Sequence, residues 1–180
     1  MIKKSYDDSQ LFNHIPYPYK PLELLGYGSY SSVLKVLDQN TNQYYAMKIS
    51  GKTDSSLLKE KTFLETLKDV VGVTKILNFI STEKIQAIIM PVYQSTLQEI
   101  LRLNPKLNLD MVCLLGVHVL EILEAVHDRK ILHQDLKPEN IMINFENFHV
   151  IDFGLSKTLF NKFGEHDRDM NINKFCGIFL

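Results

Sequence analysis

The strongest constraint on how this chain folds is a polar motif at residues 133–140 that reads His-Gln-Asp-Leu-Lys-Pro-Glu-Asn. It follows a long stretch with helical apolar spacing, and an Asp-Phe-Gly motif comes at residues 152–154 after two short apolar runs. Turn formation explains any one of these Asp or Asn residues taken alone. Their occurrence together, in this order and at this spacing, predicts a functional role for both motifs.

The chain changes from strand patterns to helix patterns near Pro91. Apolar runs bounded by turn residues predict strands, and leucines at near-helical spacing before residue 67 predict one helix. The predicted strands are residues 22–25, 32–37, 44–49, 77–80 and 85–90. Beyond Pro91 the pattern predicts helices at 97–103 and about 110–129, with Asn108 or Asp110 capping the second. The change predicts a boundary between two lobes at about residues 90–94.

A glycine-rich segment lies between the first two predicted strands. It matches the pattern G-x-G-x-x-G-x-V from Gly26 to Val33, except that Ser31 stands where the third glycine would be. Glycines at Gly26 and Gly28 would let backbone amides approach phosphate groups closely, with Ser29 between the strands as part of the same loop. An ordinary hairpin turn is the alternative. The strands on both sides argue against a dinucleotide-binding loop, which opens a helix.

Lys48 lies inside an apolar strand, where a charged group is costly unless it meets a partner. Glu60 on the following helix can supply that partner. Two plainer readings stay open, because a strand lysine often extends to water from a sheet edge and a helix glutamate is often solvated. The motifs at 133–140 and 152–154 favour the ion pair.

Composition narrows the kinds of partner. With 180 residues, of which 45% are hydrophobic, the chain can bury a core as one globular unit. Its 20 Lys and Arg against 21 Asp and Glu are too balanced for nonspecific attraction to nucleic acid or to a membrane. The two cysteines, Cys113 and Cys176, lie far apart, so a reduced intracellular protein, cytoplasmic or nuclear, is expected. No signal-like run or membrane-spanning run of about 20 apolar residues is found.

Taken in order, the two motifs resemble the protein kinase signature H-x-D-L-K-P-E-N followed by D-F-G. The resemblance extends from about residue 22 to residue 177. It implies an α+β, two-lobed protein kinase-like fold with a five-stranded antiparallel sheet and one helix in the N-lobe. The implied divisions are an N-terminal extension at 1–19 and a kinase domain at 20–180. That domain comprises an N-lobe to about 90, a hinge at 91–94 and a partial helical C-lobe from 95.

The resemblance also implies ATP and Mg²⁺ as cofactors and assigns the charged residues to roles. Asn140 and Asp152 would be magnesium ligands, since both offer hard oxygen atoms. Lys48, paired with Glu60, and Lys137 would face phosphate groups. Asp135 would accept or orient the proton of the attacking hydroxyl group.

The apolar positions of the motifs imply a nucleotide pocket. Val33 and Ala46 would lie above the adenine and Met142 below it, with Met90 as the gatekeeper. The backbone from Pro91 to Tyr93 would bond the edge of the base. Ordinary apolar core is the alternative for the four apolar residues. A further set, Leu64, His133 and Phe153, matches three members of the regulatory stack of the family.

The class implied is a serine/threonine protein kinase that transfers the γ-phosphate of ATP to protein substrates, because tyrosine kinases usually carry another residue in place of Lys137. Residues 71–76 and the early hinge weakly resemble casein-kinase-one-like enzymes. The sequence Leu-Lys-Pro-Glu-Asn at residues 136–140, directly after Asp135, argues against a small-molecule kinase of the same broad fold.

Two departures from the family pattern affect regulation. Gln134 replaces the arginine that pairs with a phosphorylated activation loop in many kinases, and a neutral amide binds phosphate poorly. Residues 159–180 contain no Ser, Thr or Tyr. The sequence predicts that this segment is not switched by its own phosphorylation.

The end of the chain departs further. Ile178 stands where a threonine usually contacts the catalytic groups, and no A-P-E-like motif follows, so the sequence predicts a C-lobe truncated in the activation segment. Its helical face at Val112, Val119 and Val126 would then be uncovered, and a protein partner could cover it. The rival function is a catalytically impaired ATP-binding pseudokinase or scaffold fragment.

Overall fold

The structure is a computed structural model of the chain, and it describes residues 9–28, 31–104, 108–144 and 147–159. Ser29 and all residues from 160 onward, which include Cys176 and Ile178, lie outside the described residues. Backbone contacts divide the chain into two compact units. The first contains Met1–Lys61 and Lys75–Val92, and the second contains Thr62–Thr74 and Tyr93–Leu180.

The first unit is built on an antiparallel sheet of five strands. A short helix α1 (Ser9–Phe12) precedes the sheet, and helix α2 (Ser56–Thr66) follows the third strand and ends within the second unit. The strands are β1 (Tyr19–Tyr27), β2 (Ser32–Asp38), β3 (Gln43–Gly51), β4 (Asn78–Ser81) and β5 (Ile85–Pro91), in the order β1-β2-β3-β5-β4. All four neighbouring pairs are antiparallel, which confirms the predicted sheet.

The pairing of β3 with its two neighbours shows which side chains share each face of the sheet, because successive side chains of a strand point to opposite sides. Lys48 lies opposite Val33 on one side and Ile88 on the other. The Lys48 face therefore carries Val33, Ala46, Lys48, Ile88 and Met90. The Met47 face carries a buried apolar cluster of Leu34, Val36, Met47, Ile49, Ile85, Ala87 and Ile89.

The second unit combines two helices with short strands. Its strands are β6 (Ser95–Thr96), β7 (Ile131–Leu132), β8 (Ile141–Asn144), β9 (Asn147–Val150) and β10 (Lys157–Thr158), and its helices are α3 (Leu97–Leu103) and α4 (Leu109–Asp128). Strands β6, β8 and β9 form one small sheet, and β7 pairs with β10. Two 3₁₀ turns also occur in this unit: Pro138–Asn140 lies between β7 and β8, and Phe153–Leu155 lies between β9 and β10.

Both helices begin with side-chain caps. Thr96 and Glu99 form a reciprocal capping box at α3, in which each side chain accepts a hydrogen bond from the backbone N–H of the other residue, at 3.0 and 2.8 Å. At α4 the Asn108 side chain accepts from the N–H of Met111 at 2.8 Å. Of the two predicted caps for α4, Asn108 is therefore the one used.

The predicted exposure of one face of α4 is wrong for two of its three residues. Val119 and Val126 are buried, at 9% and 0% exposure, and only Val112, at 46%, is exposed. Residues seven apart lie on one side of a helix, and on this side Val119 packs within the second unit in a cluster with Leu97 and Ile141. The exposed apolar residues of α4 lie mainly on other sides: Leu109, Met111, Leu114, Val117 and Leu120.

None of the helices in the described part of the chain has the length and apolarity that crossing a membrane requires.

Candidate active site

An ion pair between Lys48 and Glu60 lies at the centre of the first unit. The Nζ atom of Lys48 donates to Oε2 of Glu60 at 2.6 Å, and the two side chains are only 11% and 2% exposed. Strand β3 holds the lysine and helix α2 holds the glutamate. A carboxylate buried this deeply is stable as an ion only where such a partner compensates its lost hydration. The pairing that the sequence predicts is thus present in the structure.

The residues predicted to surround an adenine in the first unit share the Lys48 face. Ala46 lies opposite Met90 across β3 and β5, and both are buried, while Val33 is half-buried opposite Lys48. The sheet therefore brings three predicted apolar contacts and one predicted phosphate contact onto a single surface.

The glycine-rich segment closes the turn between β1 and β2. The backbone N–H of Gly28 donates to the carbonyl of Ser31 at 2.6 Å. A Cβ atom at Gly28 would lie 3.2 Å from both the carbonyl and the hydroxyl oxygen of Ser31, whereas at Gly26 it would meet no described atom within 4 Å. The turn itself therefore requires a glycine more strongly at Gly28 than at Gly26, because a Cβ atom at Gly28 would crowd Ser31. The predicted contact Ser29 lies outside the described residues.

In the second unit, the carboxylate of Asp135 is held by two donors from the same loop. Its Oδ2 atom accepts from Nζ of Lys137 at 2.7 Å and from Nδ2 of Asn140 at 3.0 Å. The same amide nitrogen donates to the backbone carbonyl of Asp135 at 2.8 Å, so the amide of Asn140 has a defined orientation. The hydrogen bond to Asp135 raises the pKa of Lys137, which therefore stays charged. This loop presents an oriented carboxylate beside a fixed positive charge.

Backbone pairing brings the Asp-Phe-Gly segment next to this loop. Ile151, the residue before Asp152, donates its N–H to the carbonyl of Asn140 at 3.0 Å. On the far side of the motif, Lys157 in β10 pairs with Leu132 in β7. The predicted magnesium ligands Asn140 and Asp152 are thus on adjacent backbone segments.

His133 joins the two segments through both of its ring nitrogens. Nε2 lies 2.9 Å from the carbonyl oxygen of Ile151, and Nδ1 lies 3.2 Å from the backbone nitrogen of Asp135. A carbonyl only accepts, so Nε2 carries the proton and Nδ1 is the acceptor. Burial lowers the pKa of His133. The neutral ring therefore fixes the spacing of the two motifs.

Two of the three residues of the predicted regulatory stack are in contact. The rings of His133 and Phe153 lie 4.7 Å apart in an edge-on arrangement, and Phe153 is fully buried. Leu64, the third residue, is also buried, at 1% exposure.

Two backbone positions in the site have an uncommon conformation that the sequence did not indicate. Gln134 and Asp152 have φ angles of 65° and 63°, in the left-handed region that side chains other than glycine seldom adopt. Such positions persist where the surroundings over-determine them, and they occur mostly at functional sites. At Asp152 the side chain accepts from the N–H of Gly154 at 3.3 Å, which contributes to this turn.

Tyr93 has a side-chain role that sequence reasoning missed. Its hydroxyl donates to Oγ1 of the buried Thr74 at 3.1 Å, and its ring lies 4.6 Å from that of His149. Burial raises the pKa of Tyr93 and lowers that of His149. His149 in turn lies opposite Met142, the predicted lower adenine contact, across β8 and β9. No local motif marks Thr74 or His149, so no signal in the sequence could have found them.

The comparisons with known proteins agree on one family. The family model of the protein kinase domain matches residues 19–177. The chain is 29% identical over 182 residues to Calcium-dependent protein kinase 4 of Plasmodium berghei (strain Anka), covering 87% of this chain and 34% of the relative. It is 31% identical over 173 residues to Dual specificity tyrosine-phosphorylation-regulated kinase 4 of Homo sapiens, covering 86% and 33%. For Probable cell division control protein 7 homolog 2 of Encephalitozoon cuniculi (strain GB-M1), the identity is 31% over 152 residues, covering 82% and 43%.

The chain belongs to the protein kinase domain family. It spans about a third of the length of the first two of these relatives. The resemblance to casein-kinase-one-like enzymes is not confirmed by them.

Proposed function

We propose that this domain transfers the γ-phosphate of ATP to serine or threonine hydroxyl groups of protein substrates. The observation that carries the proposal is the arrangement around Asp135, whose Oδ2 atom is held by Lys137 and Asn140 at 2.7 and 3.0 Å. Phosphoryl transfer depends mainly on positioning and on charge stabilisation, and this loop provides both.

In this proposal Asp135 accepts or orients the proton of the attacking hydroxyl. Its two donors limit the rotation of the carboxylate, so one oxygen has a constant direction. The charge of Lys137 would then offset negative charge on the transferred phosphate. Both donors follow Asp135 by no more than five residues, so this loop forms the arrangement from its own residues.

The residues that would hold Mg²⁺ are Asn140 and Asp152. Both offer oxygen donors of the kind magnesium prefers, and the backbone hydrogen bond from Ile151 to Asn140 keeps their segments adjacent. The amide nitrogen of Asn140 is committed to Asp135, so the other end of the amide, its oxygen, is the donor that fits a cation. Magnesium, when bound, neutralises charge on the phosphate oxygens.

For the nucleotide itself, we infer that the Lys48 face of the sheet supplies the contacts of the first unit. Val33, Ala46 and Met90 would contact the base, and Lys48 the phosphates, with Glu60 keeping the ammonium group in place. Gly26, Gly28 and Ser29 would lie along the phosphates.

The intact charged residues favour an enzyme over an impaired pseudokinase or scaffold, because Glu60 and Asp135 both keep their partners. We also infer that the domain starts near residue 20, that the hinge between its lobes is at about residues 91–94 of the chain, and that the protein is intracellular. A protein partner that covers the partial C-lobe stays part of the proposal.

The test is magnesium-dependent transfer of labelled phosphate from ATP to a general protein substrate. We expect Asp135→Asn to reduce the transfer rate by at least about a hundredfold, the usual contribution of a positioned proton acceptor. Asp69→Asn removes a carboxylate from an exposed position and should leave the rate unchanged. Equal rates in wild type and Asp135→Asn would contradict the proposal. A wild type that binds ATP without transferring phosphate would favour the pseudokinase.

A further inference from the structure

A segment that ends at the first residue of β1 covers part of the apolar Met47 face of the first unit. We call residues 11–19 the strap. Leu11, Phe12, Ile15 and Tyr19 of the strap all pack against the buried cluster on that face. Met47, Ile49 and Ala87 in the cluster are each 0% exposed. The open face of a sheet is exposed to water, so burial this complete requires a covering layer, and the strap supplies part of it.

Hydrogen bonds attach the strap to two separate parts of the sheet. The carbonyl of Pro18 accepts from the N–H of Gln39, in the turn between β2 and β3, at 3.0 Å. The hydroxyl of Tyr17 donates to the side chain of Asn40 in the same turn. At β4, the side-chain amide of Asn78 donates to the hydroxyl of Tyr19 at 3.4 Å. The strap is therefore part of the packed unit.

Helix α1, whose last two residues begin the strap, contacts β3, the strand that holds Lys48. Met47 and Ile49 precede and follow it in β3 and point to the opposite face. Protein interiors are close-packed, so a loss of side-chain volume where α1 meets β3 would be transmitted as a shift of β3 itself. The 2.6 Å contact of Lys48 with Glu60 depends on the position of that strand relative to α2.

We propose that the strap positions Lys48 for the nucleotide phosphates, with Leu11, Phe12 and Ile15 as its positioning residues. This inference rests on the proposed function, since it assigns Lys48 to the phosphates. It adds a segment that no kinase motif includes.

The inference makes a selective prediction about ligands. Adenosine lacks the phosphates that Lys48 would contact, whereas ATP carries them. Displacing Lys48 should therefore weaken the binding of Mg²⁺ and ATP while leaving adenosine binding nearly unchanged. A strap that only stabilised the fold would change the fraction of folded protein. Its loss would then lower the apparent affinities for adenosine and for ATP by the same factor.

The experiment compares dissociation constants for adenosine and for Mg²⁺ with ATP, measured by calorimetry on the full chain. In Phe12→Ala we expect ATP to bind about tenfold more weakly, as when one charge-assisted hydrogen bond is lost, with less than a twofold change for adenosine. Phe12→Leu, which keeps most of the packing, should restore ATP binding. His14→Ala removes a ring from an exposed position of the same segment and should match wild type.

Equal losses for the two ligands in Phe12→Ala, or no loss for either, would overturn the inference. If Phe12→Ala does not fold, Ile15→Val provides a milder loss of volume with the same expected selectivity. Should wild type bind neither ligand, the proposed function fails by itself. Amide hydrogen exchange then still tests the strap, because Phe12→Ala must speed exchange in β3 around Lys48 more than in β1 if the strap acts on β3.

Discussion

The Lys48–Glu60 ion pair allows a quantitative test of how the first unit is stabilised. The perturbation is a double-mutant cycle made of Lys48→Met, Glu60→Gln and the two changes together. Methionine keeps the length of the lysine side chain without its charge. Glutamine keeps an oxygen that can accept a hydrogen bond. Each single change therefore removes one charge while largely preserving shape.

The geometry sets the magnitude. At 2.6 Å and an effective dielectric constant of about 20, two unit charges attract by about 6 kcal/mol. Much of this offsets the lost hydration of two side chains that are 11% and 2% exposed. Lys48→Met should lower the free energy of unfolding by about 3 kcal/mol and Glu60→Gln by about 2 kcal/mol. The double variant should lose about 3 kcal/mol, because no lone charge is left buried, which gives a coupling of about 2 kcal/mol.

The assay is urea denaturation at neutral pH, followed by circular dichroism. A surface pair provides the matched control: Lys35 and Glu23 lie 3.3 Å apart, but their side chains are 33% and 57% exposed. The cycle Lys35→Met with Glu23→Gln should give a coupling below about 0.5 kcal/mol, since water screens exposed charges. Couplings of equal size for the two pairs would refute the reasoning that burial makes the Lys48 pair strong.

Two further predictions concern the second unit. Gly72 has a φ angle of 82°, and a Cβ atom there would lie 2.4 Å from the side chain of Ile122, so Gly72→Ala should cost about 3 kcal/mol of unfolding free energy. Gly116→Ala, where a Cβ atom meets no described atom within 4 Å, should be neutral or stabilising in the same denaturation assay, and equal losses would contradict the packing argument. Because burial lowers the pKa of His133, the unfolded chain binds a proton near pH 6.5 that the folded chain resists, so the urea midpoint should fall as the pH drops from about 7.5 to about 5.5. His133→Gln should flatten this dependence, and an unchanged slope in His133→Gln would contradict the assignment.

Much of the local structure followed from sequence because it depends on neighbours along the chain. The predicted helix at 97–103 coincides with α3, whose capping box spans only four residues. The contacts of Asp135 with Lys137 and Asn140 lie within one loop, so a motif of eight residues contains the whole arrangement. The faces of the sheet follow from strand alternation once the strands are known.

Other features required the three-dimensional packing. The sequence placed Val119 and Val126 on an apolar face of α4, but only the structure shows that this face packs within its own unit. The hydrogen bond between Tyr93 and Thr74 joins positions 19 residues apart, and neither side chain belongs to a pattern. Nor does composition indicate that Gln134 and Asp152 adopt left-handed backbone angles.

The sequence by itself determined the family, the sheet and the identity of the charged groups, because residue type and spacing carry that information directly. Tertiary structure alone decided what covers each apolar face and how the motifs are joined. The strap on the Met47 face and His133 between the two motifs are examples. The physical reason is that apolar burial has no direction of its own, so a pattern states which side is buried but not by what.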